Sequence, residues 1–311
     1  MKTKLSHPVS RLEVHLRNDL LQSSLRQDFP HAGPVEQEYP LVLQQNNHVH
    51  SYCFWSEAKD LIGHLNCWPR VLKDPHGARN LRVGVIGNVA VSEAYRRQGY
   101  MKKMFQALMK KPHVKNLDGF VLWTDEPKFY CSMGFRAVGR EAHLRFSLPE
   151  NSSPVAANFF HETVKDLTDE DFVALHALRP SCSFIPERTV EETKALLSIP
   201  DCILLVRRDA NGIMTENIIV GRGCDFIGTI HEWGGRSADA LYQGIVQILQ
   251  LTEWESVQLI APIEVVKSSL WGGLCSRADH MEEVPMAFGW CRTFEGYQHL
   301  NSSFFWGLDS I

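Results

Sequence analysis

Apolar positions in the first half of the chain fall into short runs cut by polar turns. YPLVLQ, SYCFW, LIGHLNCWPRVL and LRVGVIGNVAV are rich in Val, Leu and aromatic residues, and this pattern predicts strands. Residues 19–28 before them are helical in pattern. The period changes in residues 100–111, YMKKMFQALMKK. There Met101, Met104, Phe105, Leu108 and Met109 share one face at helical spacing. GFVLWTD then reads as a buried strand, PKFYCSMGF as a short helix ended by a left-handed Gly134, and RAVGREAHLRFSL as a closing pair of strands.

The second half repeats the style. LTDEDFVALHAL predicts a helix with an acidic first turn, and ILLVRRDANGIMTENIIVGRG a hairpin turning at Asn211-Gly212. TIHEWGG is a short strand, ALYQGIVQILQ an amphipathic helix and VQLIAPI a buried strand. Pro, Asn and Ser cluster in residues 148–155, LPENSSPV, which predicts a boundary there. The fold class that follows is α/β with a mixed sheet, in two domains over residues 1–150 and 155–311. The shared order of strands and helix suggests an internal duplication.

The chemistry concentrates in residues 85–111, VIGNVAVSEAYRRQGYMKKMFQALMKK, which reads strand, tight loop, helix. A helix start presents unpaired N–H groups and a partial positive charge, so it favours an anion. Arg96, Arg97, Lys102 and Lys103 add charge, and Gly99 lets a phosphate come close to the backbone. The G-x-x-x-x-G-K-[ST] pattern is absent, and GRGCDFIG puts Phe226 where G-x-G-x-x-G needs its third glycine. Nucleotide hydrolysis and dinucleotide redox chemistry are therefore disfavoured.

VAVSEAYRRQGYMKKMF resembles the acyl-CoA-binding segment of GNAT N-acetyltransferases, [QR]-x-x-G-x-[GA] after a strand. Arg96 and Gly99 match, and Met101 stands where the family has Gly or Ala. Downstream, Tyr130 lies four residues before Gly134-Phe135, as in the family's Y-x-x-x-G-F. The resemblance covers residues 40–146. It implies a GNAT-like fold, with a second, degenerate GNAT-like half, and an acyltransferase using acetyl-CoA as co-substrate and no metal. Val89, Ala90 and Val91 would line the pantetheine arm, and Arg96, Arg97, Gln98, Gly99, Tyr100, Met101 and Lys102 would surround the pyrophosphate. An amine of a small molecule or peptide would attack the thioester directly, with Tyr130 as general acid. An alternative is an acyl-CoA-binding regulatory protein without turnover, suggested by Met101 and by the missing base.

The strand RVGVIGNVAV holds no carboxylate that could act as that base. Glu57, His64 and Asp125 are alternatives, as is the C-terminus, through Asp309 or the carboxylate of Ile311. Glu232 and Trp233 are candidate acceptor contacts, a carboxylate and an aromatic face for a cationic amine. Other patterns are discounted. His48-x-His50 lacks a third metal ligand, His231-Glu232 is followed by Gly235 where H-E-x-x-H needs histidine, and Cys131 reads as a small buried residue.

Bulk properties narrow the setting. A net charge of -4 argues against nucleic acid as the main partner. The start lacks a signal-peptide core, and no apolar run reaches the length of a membrane span. Eight scattered cysteines in a chain of this length predict reduced thiols and a cytoplasmic protein. The second half is left to shape an acceptor pocket or to serve as a homodimer surface.

Overall fold

The computed structural model describes residues 3–29, 31–74, 77, 80–148, 158–180, 184–252 and 254–310. In chain order the elements are β1 (Thr3–Ser6), α1 (Arg11–Leu25), the one-turn helices α2 (Val35–Glu38) and α3 (Pro40–Leu43), β2 (Ser51–Ser56), β3 (Leu61–Lys73) and β4 (Leu81–Val91). They continue with α4 (Tyr100–Leu108), β5 (Gly119–Leu122), α5 (Pro127–Cys131), β6 (Arg136–Ser147), β7 (Phe160–Glu162), α6 (Asp169–Ala177), β8 (Ile185–Pro186) and α7 (Val190–Leu197). The last are β9 (Ile203–Arg208), β10 (Met214–Val220), β11 (Thr229–Gly234), α8 (Ala238–Leu251), β12 (Ser256–Pro262), α9 (Ile263–Val266), β13 (His280–Cys291) and α10 (Phe294–Asn301). Among the described residues no helix is long and apolar enough to cross a membrane.

Two compact units result, and they are not the contiguous halves that the loop signal predicts. Unit 1 joins Met1–Val138 to Ala287–Asn301 and Asp309–Ile311, and unit 2 holds Gly139–Met286 and Ser302–Leu308. The 148–155 signal falls largely on residues outside the described set. The physical reason for the interleaving is strand pairing. The end of β13 pairs antiparallel with β5, from Phe288↔Leu122 to Cys291↔Gly119. Unit 1 therefore draws a strand from far down the chain.

Within unit 1, β1, β2, β3 and β4 are successively antiparallel, β4 and β5 are parallel, and β5 and β13 are antiparallel. Within unit 2, β7, β9, β10 and β11 are successively antiparallel, β11 and β12 are parallel, and β12 and β6 are antiparallel. The run of directions is the same in both units. A helix crosses between the parallel strands each time, α4 in one and α8 in the other, as a parallel connection requires.

Local chemistry corrects three of the expected elements. The first helix starts at Arg11 rather than near Asp19, because Ser10 and Glu13 form a reciprocal capping box. YPLVLQ is helical, since Pro40 occupies the first helical position, where its missing N–H costs nothing. RAVGREAHLRFSL is one long strand, with Gly139 at φ +65° absorbing an irregularity that reads as a turn. The expected short helix is α5, and Gly134 follows it at φ +93°. The core of unit 1 packs the inner face of α4, through Met104, Phe105 and Leu108, on Ile62, Leu65, Ile86 and Phe120.

Candidate functional site

The site is built on the parallel strand pair of unit 1. The β4–β5 ladder runs only from Val83↔Gly119 to Val85↔Val121. β5 ends at Leu122, while β4 continues to Val91. Six residues of β4 thus run on beyond that ladder, and the two strands part. A second irregularity lies in this overhang. On the β3 side the register jumps from Asn66↔Gly87 to His64↔Ala90, so Asn88 and Val89 oppose the single residue Leu65. This is a β-bulge, and Asn88 takes φ +48° to make it.

His64 clamps the bulge from β3. Its Nδ1–H donates to the Asn88 carbonyl at 2.9 Å, and its Nε2 accepts from the Ser51 hydroxyl at 2.7 Å. The ring is fully buried, and burial pushes its pKa down to about 3, so it stays neutral. The side chain of Asn88 is buried as well, and neither its Oδ1 nor its Nδ2 has a partner.

β4 leads through a short turn, Glu93–Tyr95, into the loop before α4. Arg97 and Gly99 both take left-handed backbone, at φ +61° and +74°. Gly99 caps α4 with no side chain closing the end, and the first helical bond runs from Lys103 N–H to the Gly99 carbonyl at 3.2 Å. The amides of the first turn therefore point out of the helix toward any anion in front of it. A Cβ at Gly99 would meet nothing within 4 Å, so the space before the helix is open. Arg96, Arg97 and Gln98 are exposed around it. Arg96 Nε donates to the Val91 carbonyl at 3.1 Å, and Gln98 Nε2 to that of Ala94 at 3.0 Å. Met101 packs against the apolar core, away from the open front. Val89 and Val91 are half-buried on the same core, Ala90 is buried, and Tyr100 is buried beneath the Lys103 ammonium, 4.3 Å from its ring centre.

α5 packs on the same core through Phe129 and Tyr130. Tyr130 is buried, its ring edge-on to Phe105, Phe129 and Phe135 at 6.0, 5.2 and 5.8 Å. Burial pushes its phenol up to about 12, so it holds its proton throughout the neutral range. Cys131 is exposed, contrary to the sequence expectation. A groove of about 720 Å³ opens along α4. Its lining includes Lys102, Gln106 and Lys110, Ser132 and Met133, and Trp290 of β13. Lys102, Gln106 and Lys110 follow at i, i+4, i+8, a spacing visible in the sequence though not used there. Trp290 had no signal, because only the β5–β13 pairing brings it near. Nor had Asn88, whose bulge depends on the register against β3.

The remaining candidates lie elsewhere. Glu57 and Asp125 are exposed. Asp309 is fully buried in a terminal turn, and Ile311 lies outside the described residues. In unit 2, Glu232 is buried against two guanidiniums. Arg188 approaches both carboxylate oxygens at 3.1 Å, and Arg179 Nε lies 3.3 Å away. Burial would raise this carboxyl, but Arg188 and Arg179 outweigh it and hold it down to about 2. Trp233 is fully buried, donates to the Ile260 carbonyl at 3.0 Å, and packs edge-on to Trp271 and Trp306. Both side chains are thus engaged inside unit 2.

An overhanging, bulged strand that feeds an open helix start suits an extended thiol arm ending in a diphosphate. The sequence model of the acetyltransferase (GNAT) domain matches residues 8–138. No curated protein sequence matches the chain. Among solved structures, a conserved protein from Enterococcus faecalis described as a probable N-acyltransferase is 14% identical, with a TM-score of 0.67. The match covers 96% of this chain and 74% of that one. A GCN5-related N-acetyltransferase from Anabaena variabilis is 13% identical, with TM-score 0.64 and coverage of 93% and 72%. Saccharomyces cerevisiae N-myristoyltransferase, solved with bound myristoyl-CoA, is 9% identical, with TM-score 0.60 and coverage of 93% and 78%. At these identities the structures establish the fold.

Proposed function

We propose, from the match of the acetyltransferase (GNAT) domain model to residues 8–138, that the chain transfers an acetyl group from acetyl-CoA to a primary amine of a small molecule or peptide. The observation that carries this reading is the continuous path from the β4 overhang to the open start of α4. Backbone groups of Val89, Ala90 and Val91 extend the sheet toward an added arm, as a strand edge does toward a peptide. The first-turn amides of α4, with Arg96, Arg97 and Lys102 around them, supply positive potential for the diphosphate. Gly99 leaves room for close approach. The groove beyond, with Phe105 and Met133 on its walls and Lys110 on its rim, suits an adenosine with its phosphate.

Acetyl-CoA supplies an activated carbonyl and a thiolate leaving group. The chain's part is to align and to move one proton. The amine nitrogen bonds to the carbonyl carbon, the carbon–sulfur bond breaks, and the Tyr130 hydroxyl gives its proton to the departing sulfur, while the surplus proton on the new amide nitrogen leaves to solvent and solvent reprotonates the phenolate. Holding both reactants in one cleft lowers the entropic barrier. The neutral phenol of Tyr130 is the form a proton donor needs. The base that frees the amine is assigned to no residue.

Calorimetric titration with acetyl-CoA, followed by assay of free thiol with a panel of small amines and peptides, tests this. The reading expects saturable 1:1 binding and thiol release that depends on the amine. Binding without release from any amine would favour a carrier-sensing protein. Absence of binding would overturn the site itself.

A further inference from the structure

The side chain of Asn88 is out of keeping with its surroundings. It is 6% exposed, on a strand whose other residues are apolar or glycine apart from Arg82 near its start. Among the described residues it alone leaves both of its side-chain polar atoms buried and unpartnered. Buried amides in native proteins nearly always find partners, so such an orphan calls for an explanation. The left-handed backbone explains part of the choice, since asparagine tolerates φ +48° better than most residues. Glycine would serve the same backbone without an amide to bury. The conformation therefore accounts for the choice of asparagine, and not for a carboxamide buried without a partner.

Its position supplies a partner. Asn88 lies in the overhang, three residues past the last β4–β5 pair and at the bulge. Its own carbonyl is taken by His64, which fixes the backbone and leaves the carboxamide as the polar group still to be satisfied. From Ser92, at the end of β4, back to Asn88 is roughly 13 Å of strand. An extended arm that runs along the β4 overhang from the α4 end would pass this level.

We propose that the Asn88 carboxamide contacts the acyl carbonyl of the bound thioester, with Nδ2 donating to the carbonyl oxygen, and so belongs to the catalytic group of this site. The proposal rests on the acyl-CoA reading above. A buried donor also serves the charge that develops on that oxygen during attack.

The test compares acetyl-CoA with CoA itself, which lacks the carbonyl, on the full chain and on Asn88→Gly and Asn88→Asp. Asn88→Gly keeps the backbone conformation, and Asn88→Asp keeps the shape but removes the donor. The expected result is that the wild type binds acetyl-CoA more tightly than CoA. Both variants should lose about fivefold or more of that preference, the weight of one good hydrogen bond. Their affinity for CoA should stay within about twofold of the wild type. Asn88→Gly should also melt at or above the wild-type temperature, because it removes an unsatisfied buried amide. An unchanged preference overturns the proposal. So does an equal loss of affinity for both ligands, which would make Asn88 a structural part of the bulge. If the wild type binds neither ligand, the acyl-CoA reading itself fails, and the two failures are thereby distinguished.

Discussion

Tyr130 owes its direction to packing, since three aromatic rings surround it edge-on. Replacing it with phenylalanine keeps that packing and removes the proton. Tyr130→Phe should therefore lower kcat by about 100-fold or more, with acetyl-CoA affinity nearly unchanged. Steady-state kinetics beside calorimetry would show it, and an unaltered kcat would remove the acid role. Gly99 permits a different substitution test. Alanine there forces a side chain into left-handed backbone, at a cost of about 1 kcal/mol. It also puts a methyl group into the open space before the helix. Gly99→Ala should weaken acetyl-CoA binding about tenfold while lowering the melting temperature only modestly. These two residues were legible in the sequence because their signals are local, a glycine at a helix start and a tyrosine four positions before Gly-Phe. Asn88 was not, because an asparagine in a strand run carries no mark of a bulge until the partner strand is in register.

Among the elements, helices announced themselves best where one face is apolar throughout, as in α4. YPLVLQ misled because six apolar-rich residues fit a strand or a helical turn equally well, and only Pro40 at the helix start decides between them. The parting of β4 and β5 was invisible in the sequence for a related reason. Both strands read as buried runs, and nothing local says where a ladder stops. α4 itself gives an element-level prediction. Lys102 on α4 and Lys110 just beyond its end are exposed and both line the groove, so reversing either charge leaves the core untouched. Lys102→Glu and Lys110→Glu should each change stability by less than about 0.5 kcal/mol. Each should raise the Kd for CoA about fivefold or more at low salt, with the effect shrinking as salt is added. Titration at two ionic strengths measures both effects, and a Kd insensitive to either reversal would place the carrier elsewhere.

For the whole molecule, acid should be the weak side. His64 in unit 1 and His231 in unit 2 are buried and neutral, pushed down to about 3 and about 4. The unfolded chain takes up a proton at each near pH 6.5, while the fold refuses it until far lower. Their contribution is therefore complete above pH 6.5 and drains away below it, by roughly 2 kcal/mol per ring between pH 6.5 and 5. Glu232, held down to about 2, adds a further loss only below its unfolded value of 4.5. Melting temperatures across pH 7.5 to 5 should fall steadily, and a flat profile would mean that the rings protonate inside the fold. The strand that β13 lends to β5 has a temporal meaning too. The ribosome releases the chain from its N-terminus, so Gly119–Leu122 emerges long before Ala287–Cys291. At about 5–20 residues per second, that edge waits on the order of 10–30 s for its neighbour. During that interval a nascent chain carries an open β-edge and a groove that lacks Trp290. A message cut short before the last strand would yield a polypeptide that keeps residues 85–111 whole yet leaves that edge of β5 bare.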